Sequence, residues 1–180
     1  MARVAVLLAE GFEEIEATTI IDVLRRAGIE TVIVGVTGTL VSGAHGIKLE
    51  ADLPIAAAFQ QKWDLVALPG GMPGATTLRD DPRVGQLLRA QNERGGKLAA
   101  ICAAPIALAK AGLLSGKRVT SFPGFRQELG AVEYVEAPVV IDANVITSRG
   151  PGTAIAFSLA LVEALAGADK RESLAKALLA

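Results

Sequence analysis

The 180-residue chain holds one cysteine, Cys102, and one histidine, His45. A lone cysteine cannot close an internal disulfide, so the fold needs no oxidising compartment and only an intermolecular bridge stays open to it. One cysteine and one histidine also fall short of the soft ligand set of a zinc site, and no metal is expected. Neither sign of charge prevails: eighteen basic against nineteen acidic residues give a net charge of -1, with no long like-charge block. That balance leaves no electrostatic footprint for nucleic acid or an anionic membrane. Long apolar runs are missing as well. The longest, Leu98 to Ala109, is broken by Pro105 and closed by Lys110, well below the ~20 residues that span a bilayer. The run after Arg3 ends at Glu10, too soon for the apolar region of a signal peptide. A soluble, cytoplasmic protein is the expectation. No GxGxxG follows the first apolar run and there is no Walker A sequence, so nothing calls for a nucleotide, and no cofactor is expected.

What the chain does hold is apolar residues, 51% of the total, enough for a sizeable core in one domain spanning residues 1–180. RVAVLLA at 3–9, ETVIVGV at 30–36, WDLVALP at 63–69 and KLAAI at 97–101 are β-rich without alternation, the pattern of strands covered on both faces. Helical segments at about 12–27 and 82–94, one from the Cys102 turn to about Leu114, and others at about 153–166 and 170–179 fall between and after them, closed by glycines such as Gly28 and the pair Gly95-Gly96. Alternation of this kind predicts an α/β fold, a doubly wound and mostly parallel sheet with helices on both faces. The Gly-rich stretch 37–55 reads as a small hairpin, and Asp142-Ala143-Asn144 between two β-rich halves reads as a turn. Both suggest small antiparallel additions at the sheet edge.

In such sheets a site forms outside the carboxyl ends of the strands, and three loops there are unusual. The third carries Cys102 where a buried strand meets a helix among small residues (AAICAAPIAL). A nucleophile elbow needs small neighbours, and the helix N-terminus after it favours thiolate over thiol. A buried, inert thiol is the plain alternative. In the first loop, AEGFEEIEA, carboxylates at Glu13, Glu14 and Glu16 complement a helix dipole. Helical spacing then separates them. Glu16 shares a face with Ala17, Ile20, Val23, Leu24 and Ala27, whereas Glu14 shares the opposite side with Thr18, Ile21 and Arg25. A carboxylate on the packed stripe needs a partner and has its pKa raised by desolvation; the Cys102 sulfur would supply that partner. The second loop, Pro69-Gly70-Gly71, frees backbone N–H groups to face a ligand, or is an ordinary tight turn. Gly150-Pro151-Gly152 opens a later helix and is either an anion-binding end or a plain helix start. His45 lies in the Gly-rich excursion, exposed and far in topology from Cys102, so a triad base is not expected there.

The four stretches AEGFEEIEA, DLVALPGGMPGA, AAICAAPIAL and TSRGPGTAIAF, in this order, resemble the ThiJ/PfpI superfamily, in the branch of the parkinsonism-associated deglycase and its bacterial relatives. The resemblance implies a flavodoxin-like fold and a homodimer. It matches the nucleophilic cysteine to Cys102, its hydrogen-bonding glutamate to Glu16 and the backbone donors to Gly71 and Ala103; Gly70, Glu13 and Pro151 are further site-lining candidates. Where some members carry a histidine, this chain has Ala103 and Phe122, which argues against a histidine-assisted protease. His45 falls where the branch often carries an arginine near the dimer interface. The implied function is cofactor-independent work on small reactive aldehydes: conversion of methylglyoxal to lactate, or deglycation of glyoxal adducts on proteins or nucleotides. A stress sensor or chaperone acting through oxidation of Cys102 is the other class.

Overall fold

In a computed structural model that describes all 180 residues, the apolar runs become the centre of a seven-stranded sheet. Strands β1 (Arg3–Leu8), β2 (Glu30–Gly35), β6 (Leu65–Leu68) and β7 (Lys97–Ile101) lie parallel in its middle. The strand order is β10-β11-β7-β6-β1-β2-β5, with β5 at Leu53–Pro54, β10 at Val139–Asp142 and β11 at Val145–Ser148. The order turns outward from β1 and β6 in both directions, the doubly wound, flavodoxin-like arrangement. Successive residues of β1 feed opposite cores, as a strand requires. Val4, Val6 and Leu8 pack with Ile20 and Leu24 of α1 (Glu14–Arg26) and with Phe157 and Leu161 of α6 (Ala154–Ala166). Ala5 and Leu7 pack on the other face with Ile55 and Ala58 of α2 (Ile55–Ala58), Leu78 of α3 (Gly74–Asp80), Leu87 of α4 (Pro82–Glu93) and Ile106 of α5 (Pro105–Lys110). Helix α7 (Ala168–Leu178) closes the chain against the first face. No helix is long and apolar enough to cross a membrane.

The expected excursion at 37–55 is a separate antiparallel hairpin, β3 (Leu40–Ser42) with β4 (Lys48–Glu50). A two-stranded parallel pair, β8 (Arg118–Val119) with β9 (Glu133–Tyr134), lies elsewhere. Three expectations need correcting. Of the strands flanking Asp142-Ala143-Asn144 only β10 is antiparallel; β11 pairs parallel with β7, from Val145↔Leu98 to Ser148↔Ile101. The helix after Cys102 stops at Lys110 rather than near Leu114, because Gly112 takes φ 78° and ends it in the left-handed conformation. Helix α3 begins within the loop that glycine and proline had marked after the 63–69 strand.

Candidate functional site

Strands β1, β6 and β7 run parallel, so their following loops emerge at one edge of the sheet. Cys102 follows β7 and takes φ 63°, a left-handed backbone that is uncommon for any residue but glycine. Hydrogen bonds hold it there. Its N–H donates to the Ser148 carbonyl at 3.0 Å, and its own carbonyl accepts from Phe122 N–H at 2.9 Å. Small residues make the turn feasible, since Ala103 and Ala104 are buried directly beside it. The side chain is half-buried between the two cores.

Glu16 is fully buried at 0% exposure, with Ala17, Ile20, Val23, Leu24 and Ala27 of its stripe buried as expected. Its Oε2 accepts the Gly70 N–H at 2.7 Å. Its Oε1 is buried without a formed hydrogen bond, and the group near enough to exchange influence with it is the Cys102 thiol. Gly70 is the point where the three loops meet. A Cβ there would lie 2.7 Å from the Cys102 Cβ, 2.9 Å from Glu16 Oε2 and 3.1 Å from the Ala103 nitrogen, so only glycine fits. Gly71 is restricted twice over, by φ 92° and by the Glu13 nitrogen 2.3 Å from where a Cβ would stand. The N–H groups of Gly71 and Ala103 are close enough to the Cys102 sulfur to pull its pKa down.

Both groups of the pair are shifted upward. Burial pushes Glu16 up to about 7, against the pull of the Gly70 N–H and of the neighbouring Cys102 thiol. Burial also pushes the Cys102 thiol up to about 12, helped by the Glu16 charge and hydrogen bond and opposed by the N–H groups of Ala103 and Gly71. Desolvation and the Glu16 carboxylate thus work against the helix-stabilised thiolate expected from the sequence, and the Ala103 and Gly71 N–H groups work for it. Helix α5 starts only at Pro105 and is six residues long, so its dipole is a minor influence beside desolvation and a neighbouring carboxylate. A thiolate at Cys102 is favoured only with Glu16 protonated, because the carboxylic O–H then faces the sulfur as a donor.

Glu13 is the N-cap of α1. Its Oε2 accepts the Glu16 N–H at 2.7 Å, and its own N–H donates to the Gly70 carbonyl at 2.9 Å. It therefore fixes the Glu16 backbone and ties the first loop to the second. Pro151 lines a groove of about 390 Å³ with Phe122, Pro123 and Arg149, whose lining does not include Cys102.

Glu14 was expected on the solvent side of α1, and it is buried instead at 4% exposure. The β3-β4 hairpin folds back over it, tied by Gly11 N–H to Ser42 O at 2.8 Å and Ala44 N–H to Phe12 O at 2.9 Å. Glu14 then accepts from the His45 backbone N–H at 2.5 Å and meets its ring Nδ1 at 2.8 Å. Burial raises the Glu14 pKa, but these hydrogen bonds prevail and hold it below the ordinary carboxylate value; the same contact raises that of His45. His45 is exposed, as expected, with 75% of its side chain in solvent, yet it sits over the start of α1 rather than far from it. Donor atoms of Glu13, Glu14 and His45 come within 4.8 Å of one another, a cluster sequence spacing did not reveal; helix capping and the hairpin contact account for its geometry.

A flavodoxin-like sheet with a cysteine on a strained strand-to-helix turn, a buried carboxyl against it and two backbone donors aimed at the sulfur defines a class of α/β proteins built around a nucleophile elbow. The DJ-1/PfpI family model matches residues 2–164, and the chain belongs to that family. It is 45% identical over 177 residues to Protein dj-1beta of Drosophila melanogaster, covering 97% of this chain and 95% of that protein. The crystal structure of Drosophila melanogaster DJ-1beta superposes with a TM-score of 0.96 over 99% of this chain and 97% of that one, at 44% identity. The glutathione-independent glyoxalase DJR-1.2 of Caenorhabditis elegans is 37% identical over 171 residues, 94% of this chain and 91% of that protein.

Proposed function

We propose that the Cys102–Glu16 pair acts on small 2-oxoaldehydes as a glutathione-independent, cofactor-independent glyoxalase. The observation that carries this reading is the fully buried Glu16 carboxyl, fixed by Gly70 N–H and set against the Cys102 thiol. A carboxyl near 7 accepts and returns protons at neutral pH. The Cys102 sulfur adds to the aldehyde of methylglyoxal while Glu16 takes the thiol proton. The N–H groups of Gly71 and Ala103 stabilise the oxyanion, which Glu16 protonates to a hemithioacetal. Glu16 then moves the aldehydic hydrogen, as a proton, to the neighbouring carbon, and water cleaves the resulting thioester to lactate. Deglycation of glyoxal adducts on proteins or nucleotides is the same chemistry on a bound substrate. The name of the Caenorhabditis elegans relative agrees with the reading.

Two N–H donors toward the sulfur suit the oxygens of a sulfinate too, which favours a second reading as an oxidation sensor or chaperone. The proposal includes a second copy of the chain: Ile15 on α1 and Ile155 on α6 leave 56% and 46% of their surface exposed, apolar area suited to a homodimer contact. Lactate formation from methylglyoxal tests the leading reading. Cys102→Ala lowers it about a thousand-fold or more; a wild-type rate in that variant refutes the mechanism.

A further inference from the structure

The hydrogen bonds that hold the Cys102 backbone also decide what lies beside it. Ser148, which accepts the Cys102 N–H, leads into Arg149 and residues 150–153; Phe122, which donates to the Cys102 carbonyl, leads into Pro123. These two segments are the walls of the groove of about 390 Å³, a volume in the range of small-ligand sites. Arg149 is the only charged residue lining it. Arg149 is half-buried, and its guanidinium forms no hydrogen bond or ion pair, whereas Arg3, Arg25, Arg79 and Arg83 all pair with carboxylates. Packing of an aliphatic stem explains burial of the methylenes but asks nothing of a free guanidinium fork. That fork matches a carboxylate in two-point geometry. Glu16, when ionised, places a negative charge beside Cys102, so an anionic substrate needs a compensating cation on its approach.

Resting on the glyoxalase reading, we propose that Arg149 is a specificity-determining residue that selects carbonyl substrates bearing a carboxylate. The chemical class is a 2-oxoaldehyde with a carboxylate on the far end, such as 4,5-dioxopentanoate. The Cys102 sulfur bonds to the aldehyde carbon, and its proton passes to the aldehyde oxygen. The hydrogen on that carbon then moves as a proton, through Glu16, to the ketone-derived carbon, leaving a thioester and an alcohol. Water breaks the carbon–sulfur bond, restores the thiol and releases 2-hydroxyglutarate. The aldehyde carbon loses two electrons and the ketone carbon gains two, so no external oxidant or reductant takes part.

The test compares kcat/KM for 4,5-dioxopentanoate with kcat/KM for methylglyoxal in the wild type, Arg149→Gln and Arg149→Lys. The ratio falls about ten-fold or more in Arg149→Gln, mainly through KM, as loss of a charged hydrogen bond implies. Arg149→Lys, which keeps the stem and the charge, recovers part of it. A ratio that stays constant, with both substrates equally affected, overturns the proposal and leaves Arg149 a packing residue. Calorimetric binding of 4,5-dioxopentanoate to Cys102→Ala, with and without Arg149→Gln, decides the question independently of turnover: about ten-fold weaker binding supports it and equal binding refutes it. If Cys102→Ala retains full turnover, the glyoxalase reading fails while the binding comparison still judges Arg149.

Discussion

Glu14 and Glu16 stand two residues apart in the first turn of one helix, both buried, and their environments drive them in opposite directions. Glu14 faces the β3-β4 hairpin, where His45 and the hairpin backbone donate to it and keep it ionised. Glu16 faces the Cys102 elbow, where a single backbone donor serves one oxygen and the other faces a thiol whose pKa burial raises. Burial alone therefore does not set a carboxyl's charge; the number and kind of donors meeting it does. The hairpin side uses its carboxylate to hold structure. The elbow side leaves its carboxyl free to exchange a proton.

Substituting each glutamate in turn breaks this comparison most sharply. Glu16→Gln, which keeps shape and the acceptor for Gly70 but cannot carry a proton, lowers kcat for lactate formation by about 100- to 10,000-fold, the range of a lost acid–base group. Glu14→Gln changes kcat by less than about five-fold, since it removes only a structural ion. Equal losses in steady-state assays of the two variants would collapse the distinction.

The pH dependence of stability separates the two next. Glu16 has its folded pKa raised from 4.5 to about 7, so between those values the folded protein binds more protons than the unfolded chain. Its contribution is therefore greatest below pH 4.5 and falls as pH rises through 7, by up to about 3 kcal/mol at about 1.4 kcal/mol per pKa unit. Glu14, whose folded pKa is lowered, contributes above the unfolded value of 4.5 and loses that contribution as pH falls through its folded pKa. Denaturant unfolding from pH 4 to 8 shows a flatter profile between 4.5 and 7 in Glu16→Gln than in the wild type; parallel profiles refute the assignment.

At pH 7, Glu14→Gln destabilises the fold by about 1–3 kcal/mol, because the His45 and Ile47 N–H groups lose their charged acceptor. The smallest effect belongs to the exposed partner. His45→Ala shifts the melting midpoint by no more than about 2 °C, and the shift fades as pH rises above the raised His45 pKa, where the ring loses its charge. A larger shift at pH 8 than at pH 6 would show that the ring acts through packing instead.

Most of the sheet was legible because strands covered on both faces are continuous, β-rich apolar runs. Glu16 was legible for a related reason: on a stripe with Ala17, Ile20 and Leu24, a carboxylate stands out by helical spacing. The burial of Glu14 was not legible, since the hairpin covering it arrives from residues 40–50 and its position depends on contacts such as Gly11 with Ser42. The helix from Gly74 was hidden by the glycine and proline that open it, and the parallel partner of β11 by a turn that signals a hairpin wherever it occurs.

The amino-acid sequence by itself determined the α/β alternation, the lone cysteine on a small-residue turn, the glutamate on the packed stripe and the glycine pair beside them, because each is a matter of local spacing and side-chain size. The tertiary structure decided which charges those groups carry. A pKa depends on burial and on donors brought from distant segments, so the raised thiol at Cys102, the carboxyl near 7 at Glu16 and the unpaired Arg149 in the neighbouring groove exist only once β1, β6, β7 and β11 have placed their loops at one edge of the sheet.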